Sequence, residues 1–183
     1  MTEIAHTGLR FRNLPRRLFL DSNLIVSLAL TRSPNHIAAS RTFTELVAAA
    51  HDGRASLYVS PLVLDEVWWK LGELLYDDAH GQEHAWRRLP WGRRKEALEQ
   101  HAGTIVPLTR LILEGGLITV TEVRPEDVLT ALQYAVHAAE PHLAPRDALH
   151  LAVMKRLGIE GIVTNDPDFA NAPGIVVIRY SDL

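Results

Sequence analysis

The chain has 183 residues, of which 47% are hydrophobic and 22% charged, an ordinary balance for a globular fold with a sizeable core. The formal net charge of -3 excludes a globally basic nucleic-acid binder, so any basic surface is local. The absence of cysteine excludes a disulfide framework and zinc–thiolate sites. No apolar run reaches the roughly 20 residues of a membrane span, and the basic N-terminus has no apolar segment of signal-peptide type, so the expectation is a soluble, cytoplasmic protein.

Residues 1–16 show no periodicity and read as an N-terminal extension. Leu18-Phe19-Leu20 is a short apolar run that stops at Asp21-Ser22-Asn23, and residues 24–30 form a longer one that stops at Thr31-Arg32-Ser33-Pro34. The pattern predicts a strand, a turn and a helix. Ser33 and Pro34 are expected to cap and open the next helix, with Phe43, Leu46, Val47 and Ala50 on its apolar face and Asp52-Gly53 as its stop. Residues 57–59 read as a second strand, and Ser60-Pro61 repeats the cap-plus-proline start. In the helix that follows, Leu64, Val67, Trp68, Leu71 and Leu75 make an apolar stripe. Glu66 lies off that stripe in the second turn, leaning back toward the helix start.

Residues 76–101 change character, with Asp77-Asp78, several histidines and the run Trp86-Arg87-Arg88-Leu89-Pro90-Trp91-Gly92-Arg93-Arg94-Lys95. They are expected to form a helical insertion inside one domain spanning 1–183. A helix over 104–114 follows, then a Gly115-Gly116 break and a third strand over 117–120. Pro125 opens another helix, whose buried face is predicted to be Val128, Leu132, Ala135, Val136 and Ala139. After a loop, Pro145 opens a helix that ends at Gly158, and a short buried strand leads into Thr164-Asn165-Asp166-Pro167-Asp168-Phe169. Pro173-Gly174 turns the chain into a last strand over 175–178. Helices alternating with near-continuous apolar strands predict a parallel sheet covered on both faces.

In such a sheet, ligands bind beyond the carboxyl ends of the strands. Asp21 follows strand one, Glu66 sits early in the helix after strand two, and Asp166 and Asp168 follow strand four. Asp147 opens the helix that leads into strand four, and a helix-loop-helix crossover from strand three is expected to bring it to the same edge. Four carboxylates at one edge repel unless a cation neutralises them, and an all-oxygen donor set suits Mg²⁺ or Mn²⁺ rather than zinc. Each acid also has a plain structural reading. Asp21 caps a helix, Glu66 pairs with Lys70 at i+4, Asp147 is a first-turn acid, and Asp166-Pro167-Asp168 makes a turn. Among the histidines, His80 and His84 read as solvated, and His150 as packing or hydrogen-bonding rather than as a base.

Four segments in order carry a family resemblance: Leu18-Phe19-Leu20-Asp21-Ser22-Asn23, Ser60-Pro61-Leu62-Val63-Leu64-Asp65-Glu66-Val67, Arg146-Asp147-Ala148-Leu149-His150-Leu151-Ala152, and Ile162-Val163-Thr164-Asn165-Asp166-Pro167-Asp168-Phe169. They resemble the motifs of PIN-domain nucleases, nearest to VapC-type toxins of toxin–antitoxin pairs, over residues 17–180. The resemblance implies a three-layer α/β/α sandwich around a five-stranded parallel sheet, and a Mg²⁺- or Mn²⁺-dependent endoribonuclease. It implies Asp21, Glu66, Asp147 and Asp166 as the acidic catalytic and metal-site residues, with Asp168 replacing or assisting Asp166 and with Asn23 and Thr164 in support. It also implies a cognate antitoxin partner and, as in many members, a homodimer.

The candidate RNA contacts are Arg87, Arg88, Arg93, Arg94 and Lys95, interleaved with Trp86 and Trp91, together with Arg16 and Arg17. The alternative for this run is a solvated helical face. Two other functions stand beside the ribonuclease. One is a phosphohydrolase with Asp21 as nucleophile, disfavoured because Asn23 stands where such enzymes place a second Asp. The other is a non-catalytic RNA- or protein-binding module on the same fold.

Overall fold

The computed structural model describes residues 14–137 and 143–180. Most of the N-terminal extension and Ala139 lie outside the described residues. Five strands form one all-parallel sheet in the order β3-β2-β1-β4-β5, with β1 Arg17–Leu20, β2 Ser56–Val59, β3 Ile118–Val120, β4 Gly161–Val163 and β5 Val176–Ile178. The central strands β1 and β4 are short apolar runs because both their faces are covered: Leu18, Phe19, Leu20, Ile162 and Val163 are fully buried.

Between β1 and β2 lie α1 Ser22–Ala29 and α2 His36–His51; between β2 and β3 lie α3 Pro61–His80, a 3-10 turn Trp86–Arg88, α4 Trp91–Gln100 and α5 Ala102–Glu114. Between β3 and β4 lie α6 Pro125–His137 and α7 Pro145–Leu157. The chain walks outward through β2 to β3 and then crosses back over β1 to β4. Right-handed crossovers therefore put α1–α5 on one face and α6–α7 on the other, making the three layers. No helix among the described residues is long and apolar enough to cross a membrane.

The path of α6 and α7 decides where Asp147 goes. The Arg156 Nε and Nη2 donate to the two carboxylate oxygens of Asp127 at 2.8 and 3.0 Å, tying the end of α7 to the start of α6. The two helices run antiparallel. Arg17, at the amino end of β1, donates to the Leu157 carbonyl at 2.5 Å, so α7 ends at the amino edge of the sheet and begins at the carboxyl edge. Gly158 closes α7 in the left-handed region at φ 62°, where glycine carries no Cβ penalty.

Several expectations need correction. The face of α6 that packs is Asp127 and Ala131, whereas Val128, Leu132 and Val136 are 53%, 58% and 62% exposed and Ala135 is exposed too. The ion pair to Arg156, not the apolar stripe, sets the rotation of this helix. Helix α2 starts at His36, because Ser33-Pro34-Asn35 forms a turn in which the Asn35 amide donates to Ser33 Oγ at 3.3 Å. Trp68 is 40% exposed, with its indole Nε1 donating to Thr109 Oγ1 on α5 at 2.8 Å.

The 76–101 region begins inside α3, which runs on to His80, and it has an aromatic core of its own. Trp86 is fully buried, edge-on to Trp69 at 5.3 Å and to Tyr76 at 6.1 Å. Gly72 makes this possible, because a Cβ there would lie 2.6 Å from Leu98 Cδ2 and 3.0 Å from Trp86 Cη2.

Candidate active site

The sheet order reverses around β1, with β2 on one side and β4 on the other, which opens a crevice beyond the carboxyl ends of β1 and β4. Strand β1 delivers Asp21 there as the N-cap of α1. Its backbone N–H continues the ladder to the Val163 carbonyl at 3.2 Å, and its carboxylate Oδ1 accepts from the Ser22 amide at 2.6 Å. Strand β4 delivers Thr164, whose hydroxyl donates to Asp21 Oδ2 at 2.6 Å. The Thr164 hydroxyl oxygen in turn accepts from Asn23 Nδ2 at 2.8 Å and from the Asp166 amide at 2.9 Å, so its donor and both lone pairs are used. The network orients the acid loop against α1. Asp21 is 5% exposed, and burial pushes its pKa up despite the bonds from Thr164 and Ser22 and the nearby Lys70.

A further layer was not found in the sequence. Tyr180, just beyond β5, is buried, donates its hydroxyl to Asn23 Oδ1 at 3.2 Å and lies 3.2 Å from Ser27 Oγ. Its amide donates to Asn165 Oδ1 at 3.0 Å. Burial, with Asp21 nearby, pushes the phenol up to about 12, so it stays a neutral donor. Nothing local in the sequence marks Tyr180, because the contact spans 157 residues.

Asp147 stands in the first turn of α7. Its carboxylate, with those of Asp166 and Asp168, offers oxygens that all lie within 4.8 Å of one another. Burial first, then the charges of Asp166, Asp21, Glu66 and Asp168, push the Asp147 carboxyl up to about 7. These contributions place all five acids in one electrostatic neighbourhood. Asp166 is the better fixed of the last two: its Oδ1 accepts from the Asp168 amide at 2.9 Å, while Asp168 is exposed.

Glu66 reaches the same edge from α3, with Lys70 Nζ at 3.5 Å and Arg146 Nη1 at 3.6 Å from its Oε1. Lys70 is more than the helical neighbour of Glu66, since its ammonium also donates to Ser22 Oγ at 3.0 Å beside Asp21. Two cations thus rim the acids. All-oxygen donors, mutual repulsion and a half-buried setting fit a hard divalent cation, with Asp147, Asp166 and Asp168 as the converging carboxylates that could hold it and Asp21 and Glu66 beside them.

His150 is buried against the Phe19 ring at 5.4 Å, with Nδ1 3.4 Å from Ser60 Oγ, and burial lowers its pKa to about 4. Ser60 occupies the N-cap position of α3 without a side-chain capping bond. Arg17 sits at the opposite edge of the sheet, and the carbonyl of Arg16 accepts from Ser56 there, so neither lies by the acids. Arg87 pairs with Glu73 at 2.5 Å, Arg93 with Glu96 at 2.8 Å and Lys95 with Glu99 at 3.9 Å, while Arg88 is exposed. Arg94 holds the Leu89 and Arg87 carbonyls at 3.0 and 2.7 Å.

Glu73, Asp77 and His84 form a second group of converging donors. There the Asp77 oxygens accept the amides of His84 and Trp86, each at 2.8 Å, which closes the loop after α3.

Known structures share this fold. Mycobacterium tuberculosis VapC20, described as a sarcin-ricin loop cleaving toxin, is 21% identical with a TM-score of 0.59, over 86% of this chain and 96% of that one. Neisseria gonorrhoeae FitAcB is 16% identical with a TM-score of 0.54, over 91% of this chain and 99% of that one. Rickettsia felis VapBC2, bound to a DNA fragment from its promoter, is 10% identical with a TM-score of 0.50, over 89% of this chain and 98% of that one. No curated protein sequence matches the chain. The PIN domain family model matches residues 18–175, which spans all four acidic segments and most of the described fold, and the chain belongs to the PIN domain family.

Proposed function

We propose that this PIN domain is a Mg²⁺- or Mn²⁺-dependent endoribonuclease, acting as the toxin of a toxin–antitoxin pair. The observation that carries the reading is the convergence of Asp147, Asp166 and Asp168 within 4.8 Å, with Asp21 and Glu66 beside them. The likeness to VapC20, described as a sarcin-ricin loop cleaving toxin, supports RNA as the substrate class, and the likeness to FitAcB and VapBC2 supports an antitoxin partner.

Asp147, Asp166 and Asp168 would hold the cation, with Asp21 and Glu66 completing the acidic edge. When bound, the cation supplies charge neutralisation, activation of a water for attack on phosphorus, and stabilisation of the leaving oxygen. Thr164 and the Ser22 amide fix the Asp21 carboxylate so that it needs no reorganisation during reaction. Asn23, fastened by Thr164 and Tyr180, holds the acid loop in register with α1. Lys70 and Arg146, on the rim, are placed to draw a phosphodiester toward the acids and to hold it across the edge.

The buried Asp21, with both oxygens occupied, is poorly placed as a nucleophile, which argues against the aspartyl-phosphate alternative. A second copy of the chain is the proposed cover for the exposed apolar side chains of α6, in keeping with the homodimer expected from the family. The test of the activity is cleavage of labelled RNA by purified protein in Mn²⁺. Asp21→Asn and Asp147→Asn are expected to abolish cleavage while leaving cooperative unfolding intact. Full cleavage by both variants would defeat the reading.

A further inference from the structure

Trp91 opens α4 and is 72% exposed, the most exposed of the chain's four tryptophans. A large apolar ring left in water adds little to stability, and the local core is already supplied by the buried Trp86. Trp91 is nevertheless held firmly. It stacks on Trp69 at 5.7 Å with an interplanar angle of 18°, within the range of offset aromatic pairs. Trp69 is itself pinned edge-on by Trp86 at 5.3 Å and by the Arg94 guanidinium at 5.3 Å from its ring. With one face laid on Trp69, the exposed part of Trp91 is its other face and edges.

The place of this ring on the molecule gives it a role. Trp69 is three residues beyond Glu66 on α3, so at 1.5 Å rise per residue it lies about 4.5 Å further along the helix on a neighbouring line. Arg146, the residue before Asp147, spans Asp65 and Glu66 at 3.7 and 3.6 Å. Trp69, with its stacked partner, therefore lies about one helical turn beyond the Asp65 and Glu66 side chains that Arg146 joins to the acidic edge. Around Trp91, residues 87–95 hold five cations and no acid, in a chain whose net charge is -3. The pairs Arg93–Glu96 and Lys95–Glu99 are exposed, weak and exchangeable for phosphate. An immobilised, solvent-open aromatic face among arginines is the arrangement by which proteins bind single strands.

We propose that Trp91 is a stacking platform for an unpaired base of the RNA substrate, a short way along the strand from the scissile phosphate, with Arg88, Arg93 and Lys95 gripping the adjoining backbone. This rests on the ribonuclease reading above and names the side chain that would hold an unpaired base beside the acidic edge. A duplex, whose bases are stacked on one another, offers nothing to this ring.

The test uses the full chain in the cleavage-deficient Asp147→Asn background. The probes are a fluorescein-labelled single-stranded oligoribonucleotide of mixed sequence and the same strand annealed to its complement. Trp91→Ala and Trp91→Leu are expected to weaken single-strand binding by about 5- to 150-fold, the equivalent of losing one stacked base, and to leave duplex binding unchanged. Trp91→Phe should keep most of the affinity. The salt dependence of binding should keep its slope, because no phosphate contact is removed. In the active protein, Trp91→Ala should raise KM.

Trp91→Leu still covers Trp69, so unfolding temperature and affinity separate a structural lid from a platform. If Trp91→Leu binds RNA as tightly as the parent, or if strand and duplex weaken equally, the platform is overturned. Unchanged RNA affinity in all three variants also overturns it and leaves the face to a protein partner. If the unsubstituted protein neither binds nor cleaves RNA, the ribonuclease reading falls and the platform with it. If it cleaves and the Trp91 variants match it, the platform alone falls.

Discussion

Replacing Asp147 by Asn should stabilise the protein when no divalent cation is present. The carboxyl is pushed up to about 7 by burial and by Asp166, Asp21, Glu66 and Asp168, against 3.8 for an unperturbed aspartate. The folded state therefore holds a proton that the unfolded state gives up between about pH 4 and pH 7. Folding stability from this group is present at the acid end of that window and is lost as pH rises through 7. At 1.36 kcal/mol per pH unit the displacement sets a ceiling of about 4 kcal/mol. Solvent screening of a side chain that is only half-buried brings the expectation to about 1–2 kcal/mol. For a chain of this size that is roughly 2–8 °C in Tm.

The assay is thermal unfolding of wild type and Asp147→Asn at pH 5 and pH 8, with EDTA and with excess Mn²⁺. At pH 5 the variant should lead by only about a third of the full difference, because pH 5 lies about a third of the way from 3.8 to 7. At pH 8 in EDTA the variant should melt higher. Mn²⁺ should raise the wild type by mass action, about 2.7 kcal/mol at a hundredfold excess over Kd, and raise the variant much less. If Asp147 merely complements the α7 dipole, the substitution should instead destabilise by a few tenths of a kcal/mol to about 1 kcal/mol, with no metal dependence. A variant that melts below wild type at pH 8 in EDTA would mean that the Asp147 charge carries no penalty in the folded protein.

Thr164→Val removes the hydroxyl that bonds Asp21, Asn23 and Asp166, and should cost about 1–3 kcal/mol in urea unfolding together with most of the cleavage activity. Asp127→Ala breaks the buried pair with Arg156 and should cost about 3 kcal/mol. Asp127 is the opposite case to Asp147: burial alone would raise its pKa, but the bonds from Arg156 and Arg124 outweigh it and hold it low. Its stabilisation is therefore present above about pH 4 and lost as pH falls below, so the gap between wild type and Asp127→Ala should narrow in acid. Leu132→Glu on the exposed face of α6 should leave the unfolding free energy within about 0.5 kcal/mol of wild type, as for surface changes, and convert dimer to monomer by sedimentation. A monomeric wild type would remove a second copy as the cover of that face.

The sheet was legible because its strands are buried on both sides. Continuous runs such as Leu18-Phe19-Leu20 leave few alternatives, and Asp-Gly, Gly-Gly and Pro-Gly punctuate them. The acidic edge was legible because strand ends and helix starts alternate in the chain as they do in space. Contacts made between distant segments were not. Lys70 reads locally as the partner of Glu66, and only the fold brings Ser22 and Asp21 beside it. Tyr180 likewise has a partner, Asn23, that a separation of 157 residues hides. On α6 the apolar period was visible but pointed to the wrong face, because a buried aspartate held by an arginine on α7 outweighs a stripe of valines and leucines.

In the proposed mechanism, RNA hydrolysis depends on a cation held by Asp147, Asp166 and Asp168 beside Asp21 and Glu66. The most direct measurement is the rate of cleavage of a labelled RNA by chelator-stripped wild-type protein as Mn²⁺ or Mg²⁺ is titrated back. The stripped protein should not cleave, and activity should return saturably with the cation. Cleavage by the stripped protein at the rate of the reloaded one would contradict that mechanism.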